Sequence, residues 1–232
     1  MKEIKFNVCT LSNLLIGGNE SSFVIGGIDQ HTVTDYNDCP YIPGSSFKGA
    51  FRKIVRDDKN ELISEIFRDY VNNLIEEAER KVTENPDINI NLKKFEEHIK
   101  KGIISDSEYM FGINGYNQSP KLMFSDLYLT EKSREKGDYF SIDAKNSIDD
   151  KTLVANPRTY KVARQELVFT GSIRFRNFEK LEARKDEIQN YVIAQLKVFD
   201  EGFYRLGNSK SRGYGHIKVV LIEVDGKKVG GF

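Results

Sequence analysis

The chain has 232 residues, of which 39% are hydrophobic and 30% charged; that length accommodates one elaborated core, and that composition excludes long-range disorder. No run approaches the roughly 20 apolar residues that span a bilayer, and the opening MKEIKFNV lacks the apolar stretch of a secretory signal, so a cytoplasmic protein with no membrane partner is expected. Lys plus Arg equals Asp plus Glu at 35 each, so bulk charge alone favours no polyanionic partner.

The charge is nevertheless segregated. Residues 151–218 hold 14 Lys/Arg against 7 Asp/Glu, whereas residues 57–108 hold 8 against 14. A separated basic stretch is one requirement for nucleic-acid binding, and a solvated helix face produces the same count. Cys9 and Cys39 lack CxxC spacing, and only His31, His98 and His216 are there to supplement them. Neither a zinc module nor a disulfide framework is indicated.

In chain order, Ile4, Phe6 and Val8 alternate with polar neighbours and predict a first strand over residues 3–11. Phe47, Phe51, Ile54 and Val55 have helical spacing, and Gly44-Ser45-Ser46 reads as the N-cap of a first helix. Residues 61–84 carry an amphipathic stripe that Asn85-Pro86 ends. Leu92, Phe95, Ile99 and Ile103 suggest a short helix. Strand-like runs follow at 121–129 and 168–177, separated by a polar segment, 130–160, too long for an ordinary connector and read as functional or locally disordered. Residues 187–203 form a last helix and 214–224 a last strand. Strand, helix, strand, strand, helix, strand is the ferredoxin-like (RRM-like) α+β order, here one domain over 1–232 with a helical insertion at 57–109 and a second insertion at 130–160.

Two segments have chemistry suited to phosphate. In the loop Gly207-Asn208-Ser209-Lys210-Ser211-Arg212-Gly213-Tyr214-Gly215, the glycines let backbone approach a ligand, Ser209 and Ser211 add hydroxyls, and Lys210 and Arg212 add charge; a flexible turn is the plainer reading. In the segment Pro40–Arg52, free N–H groups at the helix start (Gly44, Ser45, Ser46) attract anions, with Lys48 and Arg52 one turn apart on one face; simple capping with a solvated basic pair is equally compatible.

Leu15-Ile16-Gly17-Gly18, Gly26-Gly27-Ile28-Asp29, PYIPGSSFKGAFR, Met110-Phe111-Gly112, Ala155-Asn156-Pro157-Arg158 and the closing glycine loop, in this order along most of the chain, together resemble the RAMP proteins of CRISPR systems, specifically the repeating backbone subunit of type III-A (Csm) complexes. The resemblance implies a palm that holds CRISPR RNA through Gly44, Ser45, Ser46, Lys48, Arg52, Asn208, Ser209, Lys210, Ser211, Arg212, Gly213 and Gly215. It also implies copies stacked in a filament with other type III subunits on a complementary target RNA, and a thumb in 130–160 that adds Asn156 and Arg158. Asp150 stands where the family commonly has Arg, with Lys151 one position on.

By the same resemblance Asp29 is the carboxylate needed for cutting target RNA, with Mg²⁺ or another divalent metal; on its own an Asp after Gly-Gly-Ile reads as a turn residue. Attack by a ribose 2′-OH needs a deprotonating or metal-positioning group and a splayed nucleotide. His31 is a candidate to assist, while Asp35 and Asp38 read as turn formers. A non-catalytic structural subunit and a stand-alone CRISPR precursor-RNA processing endonuclease are the alternative readings.

Overall fold

The computed structural model describes residues 3–17, 28–85, 87, 91–148 and 155–229. The first strand, β1 (Glu3–Thr10), buries Ile4, Phe6 and Val8 and turns Lys5 outward, as a period of two requires. Next come β2 (Gln30–His31), α1 (Gly44–Asp57), α2 (Glu61–Glu84) and α3 (Leu92–Lys100), then β3 (Lys121–Phe124), β4 (Tyr128–Leu129) and α4 (Glu131–Glu135). The chain continues through β5 (Phe140–Ile148), β6 (Ala155–Ala163), β7 (Val168–Arg176), α5 (Lys185–Lys197), β8 (Ile217–Val224) and β9 (Lys227–Lys228).

The larger sheet has the order β3-β7-β1-β8-β9 with β4 also on β7; β1 and β8 run antiparallel with an irregularity between Asn7 and Val8. A smaller sheet has the order β2-β6-β5. The fold is thus mixed α and β around an antiparallel sheet.

Contacts divide the chain into two compact units. The first is formed by residues 51–123 and 173–195. Its longest helix, α2, is capped by Asn60, whose side chain accepts from Ile63 N at 3.0 Å, and it buries Ile63, Ile66, Phe67, Tyr70, Val71, Leu74 and Ala78. Ile66, Phe67, Tyr70, Leu74 and Ala78 are in the stripe read from the sequence, whereas Leu62, expected with them, is exposed and Ile63 and Val71 are buried in addition. The helix packs on a 3-10 helix, Asp106–Phe111, and on α3.

The second unit comprises residues 4–50, 124–172 and 196–232. Four rings sit at its centre: Phe47, on the first turn of α1, lies 5.0 Å from Phe6, 5.2 Å from Phe199 and 6.2 Å from Phe124 between centroids. Packing of this kind adds to area burial and pins the start of α1 on β1.

The polar segment 130–160 is more regular than its composition suggests. It holds α4 and the arms of a hairpin in which β5 pairs with β6 from Phe140↔Ala163 to Ile148↔Ala155. In β5 the alternating Ile142 and Ala144 stay exposed, so the arms are held chiefly by hydrogen bonds to each other, while Tyr160 and Val162 near the base of β6 enter a hydrophobic cluster with Leu15 and Tyr214.

Candidate nucleic-acid interface

Beyond β1, residues Asn13–Gly17 run as an extended segment with hydrogen bonds to three parts of the chain. Asn13 O accepts from Gly215 N at 2.9 Å and Leu15 O from Asn208 N at 2.7 Å; Leu14 exchanges bonds with Ala163 of β6 at 2.8 and 2.9 Å; Ile16 O accepts from Val33 N at 2.9 Å. The glycine loop, the hairpin base and the residues just after Asp29 therefore share one backbone support.

Within the loop the glycines have separate tasks. Gly207 (φ +71°) and Gly215 (φ +75°) lie where a Cβ would come within 2.2 Å of Leu15 O and 1.9 Å of Leu206 O, so their close approach is to the protein's own backbone rather than to a ligand. Gly213 (φ +94°) faces open space. Between them Ser209, itself at φ +55°, leads into a single 3-10 turn, Lys210–Arg212. Asn208, Lys210, Ser211 and Arg212 are exposed and Ser209 is half-buried.

Tyr214, next in sequence, is buried and anchors this loop. Its hydroxyl donates to Asp143 Oδ2 at 2.6 Å, and Asn13 Nδ2 donates to the same oxygen at 3.1 Å. Lys145 Nζ stands 4.1 Å from the Tyr214 ring centroid. Burial, and then the bond to Asp143, push the Tyr214 phenol well above its ordinary range. Lys136, Arg164 and Arg212 line an adjoining cavity of about 620 Å³, together with Asp138 and Glu166. Arg164 is held by Asp138 at 3.1 Å.

At the start of α1 the expected serine cap is replaced. Asp126 Oδ1 accepts from Gly44 N at 2.7 Å, and Ser46 N donates to Pro43 O at 3.0 Å. A Cβ at Gly44 would lie 2.8 Å from Ser125 O, so glycine allows the β3–β4 connection, with Asp126, to reach the helix end. A carboxylate already sits at the positive end of the helix dipole, which lessens its pull on a second anion. Ser45 is exposed, and Ser46 and Lys48 are half-buried. Arg52 belongs to the first unit, where its Nε donates to Glu108 Oε1 at 2.7 Å and its guanidinium lies 5.7 Å from the Phe111 ring centroid. Its guanidinium is thereby tied to a carboxylate that it shares with Arg56.

Asp29 is exposed. Its N–H donates to Thr159 O at 2.8 Å, and its Oδ2 accepts from Thr159 N, so backbone on β6 fixes the carboxylate midway along the hairpin, where Thr159 pairs with Ala144. His31 follows in β2, parallel to β6 with Lys161 opposite. Arg158, exposed, precedes Thr159 and pairs in register with Lys145. Asp35 Oδ1 accepts from Asn37 N and Cys39 N, and Asp38 has φ +58°. Both aspartates shape a turn.

Among the described residues no three His, Cys, Asp or Glu side chains gather as a metal site. A lone carboxylate fits Mg²⁺ only as one anchor, the ion keeping waters and taking substrate phosphate oxygens for the rest. Gly18, Gly26, Gly27, Asp149, Asp150 and Lys151 lie outside the described residues, as does the side chain of Asn156, whose backbone pairs opposite Ser147. Asn13, Asp126 and Asp143 carry no local motif, and Tyr214 stands in the glycine loop with no signal of its own; their roles appear only when distant strands meet.

No helix among the described residues is long and apolar enough to cross a membrane. Over 216 residues the chain is 28% identical to a Streptococcus thermophilus protein named CRISPR system Cms endoribonuclease Csm3, covering 89% of this chain and 81% of that one. A protein of the same name from Enterococcus italicus is 28% identical over 221 residues, covering 93% and 87%. In fold the chain resembles a chain in the cryo-EM structure of the type III-B Cmr-beta bound to cognate target RNA, with a TM-score of 0.54 and 17% identity over 96% of this chain; it spans 60% of that chain's length. The RAMP superfamily model matches residues 8–218, and the chain belongs to that superfamily.

Proposed function

We propose that this protein is an RNA-binding backbone subunit of a type III CRISPR effector complex and that it cleaves target RNA endonucleolytically through Asp29. The observation that carries the reading is the exposed Asp29 carboxylate, tied by Thr159 to the middle of a hairpin that bears Arg158 and Lys145. The names borne by relatives over about nine-tenths of the chain support the reaction class.

In this reading the palm is ferredoxin-like, a view supported by the strand order β3-β7-β1-β8 with α1 and α5 on the connections. Asn208, Ser209, Lys210, Ser211, Arg212 and Gly213 offer one exposed set of donors and cations to the CRISPR RNA backbone. Ser45, Ser46 and Lys48 add a second, with Asp126 weakening its anion preference, and Arg158 and Asn156 extend contact along the hairpin. Arg52 contributes least, since Glu108 holds it.

Asp29 accepts the 2′-OH proton or orients the hydroxyl for in-line attack on the adjacent phosphate, yielding a 2′,3′-cyclic phosphate and a 5′-hydroxyl. Asp29 would be the protein's anchor for a divalent cation such as Mg²⁺, which would supply charge neutralisation at that phosphate. Copies of the chain and other type III subunits hold guide and target in register.

The test is target cleavage by a guide-loaded complex that carries Asp29→Asn in every copy. Cleavage should fall by more than about 100-fold while assembly and target affinity are kept; cleavage at the unmodified rate would end the catalytic assignment.

A further inference from the structure

A cavity of about 380 Å³ on the second unit is bordered by Tyr36, Tyr41, Tyr128, Asp35 and Arg134, within the range of about 300–1,000 Å³ in which small aromatic ligands are held. Tyr41 and Tyr128 already stack, 5.6 Å between centroids and 19° apart, and Tyr128 remains 42% exposed. Tyr36 is 95% exposed. Single exposed apolar side chains are ordinary, but three tyrosines around one cavity are not explained by packing.

The turn that projects Tyr36 is rigid. Asp35 N donates to Cys39 O at 2.8 Å and Asp38 N to Asp35 O at 3.1 Å, while Asp35 Oδ1 accepts from Asn37 N at 2.9 Å and Cys39 N at 3.0 Å. Asp35 Oδ2, on a side chain only 8% exposed, holds Arg134 at 3.8 Å. A turn with this many bonds and a non-glycine residue at positive φ is built to hold a ring out into water in one place, and ordering it in advance lowers the cost of binding. The turn lies six residues beyond Asp29 in the chain, and its neighbour Tyr41 leads directly into Gly44 and the start of α1.

We infer that this pocket stacks an unpaired base of the RNA, with Tyr36 and the Tyr41–Tyr128 pair as aromatic faces and Arg134 at its edge. The inference rests on the RNA-binding reading above and deepens it. Protein carriers of single-stranded RNA join cationic contacts for phosphates to aromatic faces for bases, and every base offers a π-face. The glycine loop supplies the first element and the tyrosine pocket the second. A solvated ring on a bonded turn and a stacked pair border the same cavity, so a base inserted there gains aromatic contact from both.

The experiment titrates single-stranded RNA against the full chain at several salt concentrations, for the unmodified protein and for Tyr36→Ala, Tyr36→Phe and Tyr36→Ala with Tyr128→Ala, and irradiates 5-iodouridine-substituted RNA to map adducts. Tyr36→Ala, fully solvated, does not endanger folding, and circular dichroism verifies this for each variant. Affinity should drop about 5- to 100-fold for the alanine variants, with the salt slope unchanged because stacking releases no counterions; Tyr36→Phe should bind as the unmodified chain does, and adducts should fall on Tyr36 or Tyr128. Unchanged affinity and no adduct there, with Lys210→Ala/Arg212→Ala still impaired, would overturn the pocket and leave the RNA reading intact. Absence of RNA binding by the unmodified chain would remove both. Normal RNA affinity combined with lost association between copies would assign the pocket to protein docking and overturn the proposal.

Discussion

The Tyr214 hydroxyl, 2.6 Å from Asp143 Oδ2, links the glycine loop to β5 across 71 residues of sequence. Lys210 and Arg212 are exposed on the preceding turn, so the placement of their charges depends on this buried ring as well as on the loop's own backbone bonds. Tyr214→Phe keeps the ring among Leu15, Tyr160 and Val162 but removes the donor, and Asp143 retains Asn13. The loss should be about 1–2 kcal/mol in chemical denaturation, with RNA affinity reduced in step with loop disorder measured by hydrogen exchange.

Two glycines in this loop separate strain from collision. Gly213 and Gly215 both have positive φ, but an added Cβ meets nothing within 4 Å at Gly213 and Leu206 O at 1.9 Å at Gly215. Gly213→Ala should therefore cost only the left-handed backbone term, about 1–2 kcal/mol. Gly215→Ala must also displace backbone and should cost several times more, enough to lower the melting temperature sharply or prevent folding. Equal losses for the two would contradict the close approach.

In the first unit, Glu108 places a fully buried carboxylate between Arg52 and Arg56, at 2.7 and 2.8 Å. Burial raises its pKa, but donation from Arg56, Arg52 and Ile104 N outweighs burial and holds the group at about 2, against an ordinary 4.5. Because the folded value lies below the unfolded one, the stabilisation is complete above pH 4.5 and disappears as pH falls from there towards 2. Unfolding free energy should drop across that window by on the order of 3 kcal/mol from this group. Glu108→Gln should be less stable at neutral pH and show a flatter acid limb, because two guanidiniums are then left facing a neutral group.

Local pattern made much of this fold legible. The alternation in β1, the stripe on α2 and the helical spacing on α1 each depend on residues close in sequence, and each element stands within a few residues of its predicted bounds. The hairpin arms β5 and β6 were the least legible part: in β5 Phe140, Ile142 and Ala144 alternate with Ser141, Asp143 and Lys145, but the overall polarity of 130–160 masked that period of two, and with Ile142 and Ala144 exposed the strands are stabilised chiefly by each other. Asp126 replaced the serines at the head of α1 for a similar reason: its bond to Gly44 spans 82 residues, a distance at which no motif signals a cap. Glycine content pointed to the loop at 207–215, yet two of those glycines serve the packing of Leu15 and Leu206 rather than a ligand. The tyrosine pocket joins residues near 36 with residues near 128 and 134, and no single segment announces it.

Lys210 and Arg212 give the sharpest check on whether the loop meets phosphate. Both are exposed on a turn fixed at either end by Gly207 and Tyr214, so their removal changes charge without disturbing a core. Each phosphate contact on single-stranded nucleic acid contributes about 0.7 to the slope of log affinity against log salt. Lys210→Ala with Arg212→Ala should therefore flatten that slope by about one to two and weaken guides of different sequence to the same extent, since backbone contacts carry no base information. Asp29→Asn should do the reverse: it removes a negative charge near a polyanion, so binding should hold or tighten slightly while cleavage is lost. Filter binding over a salt series, run beside target cleavage in the assembled complex, distinguishes the two sets. A slope unaffected by the double substitution would mean that the loop's cations face water and that the guide is held elsewhere.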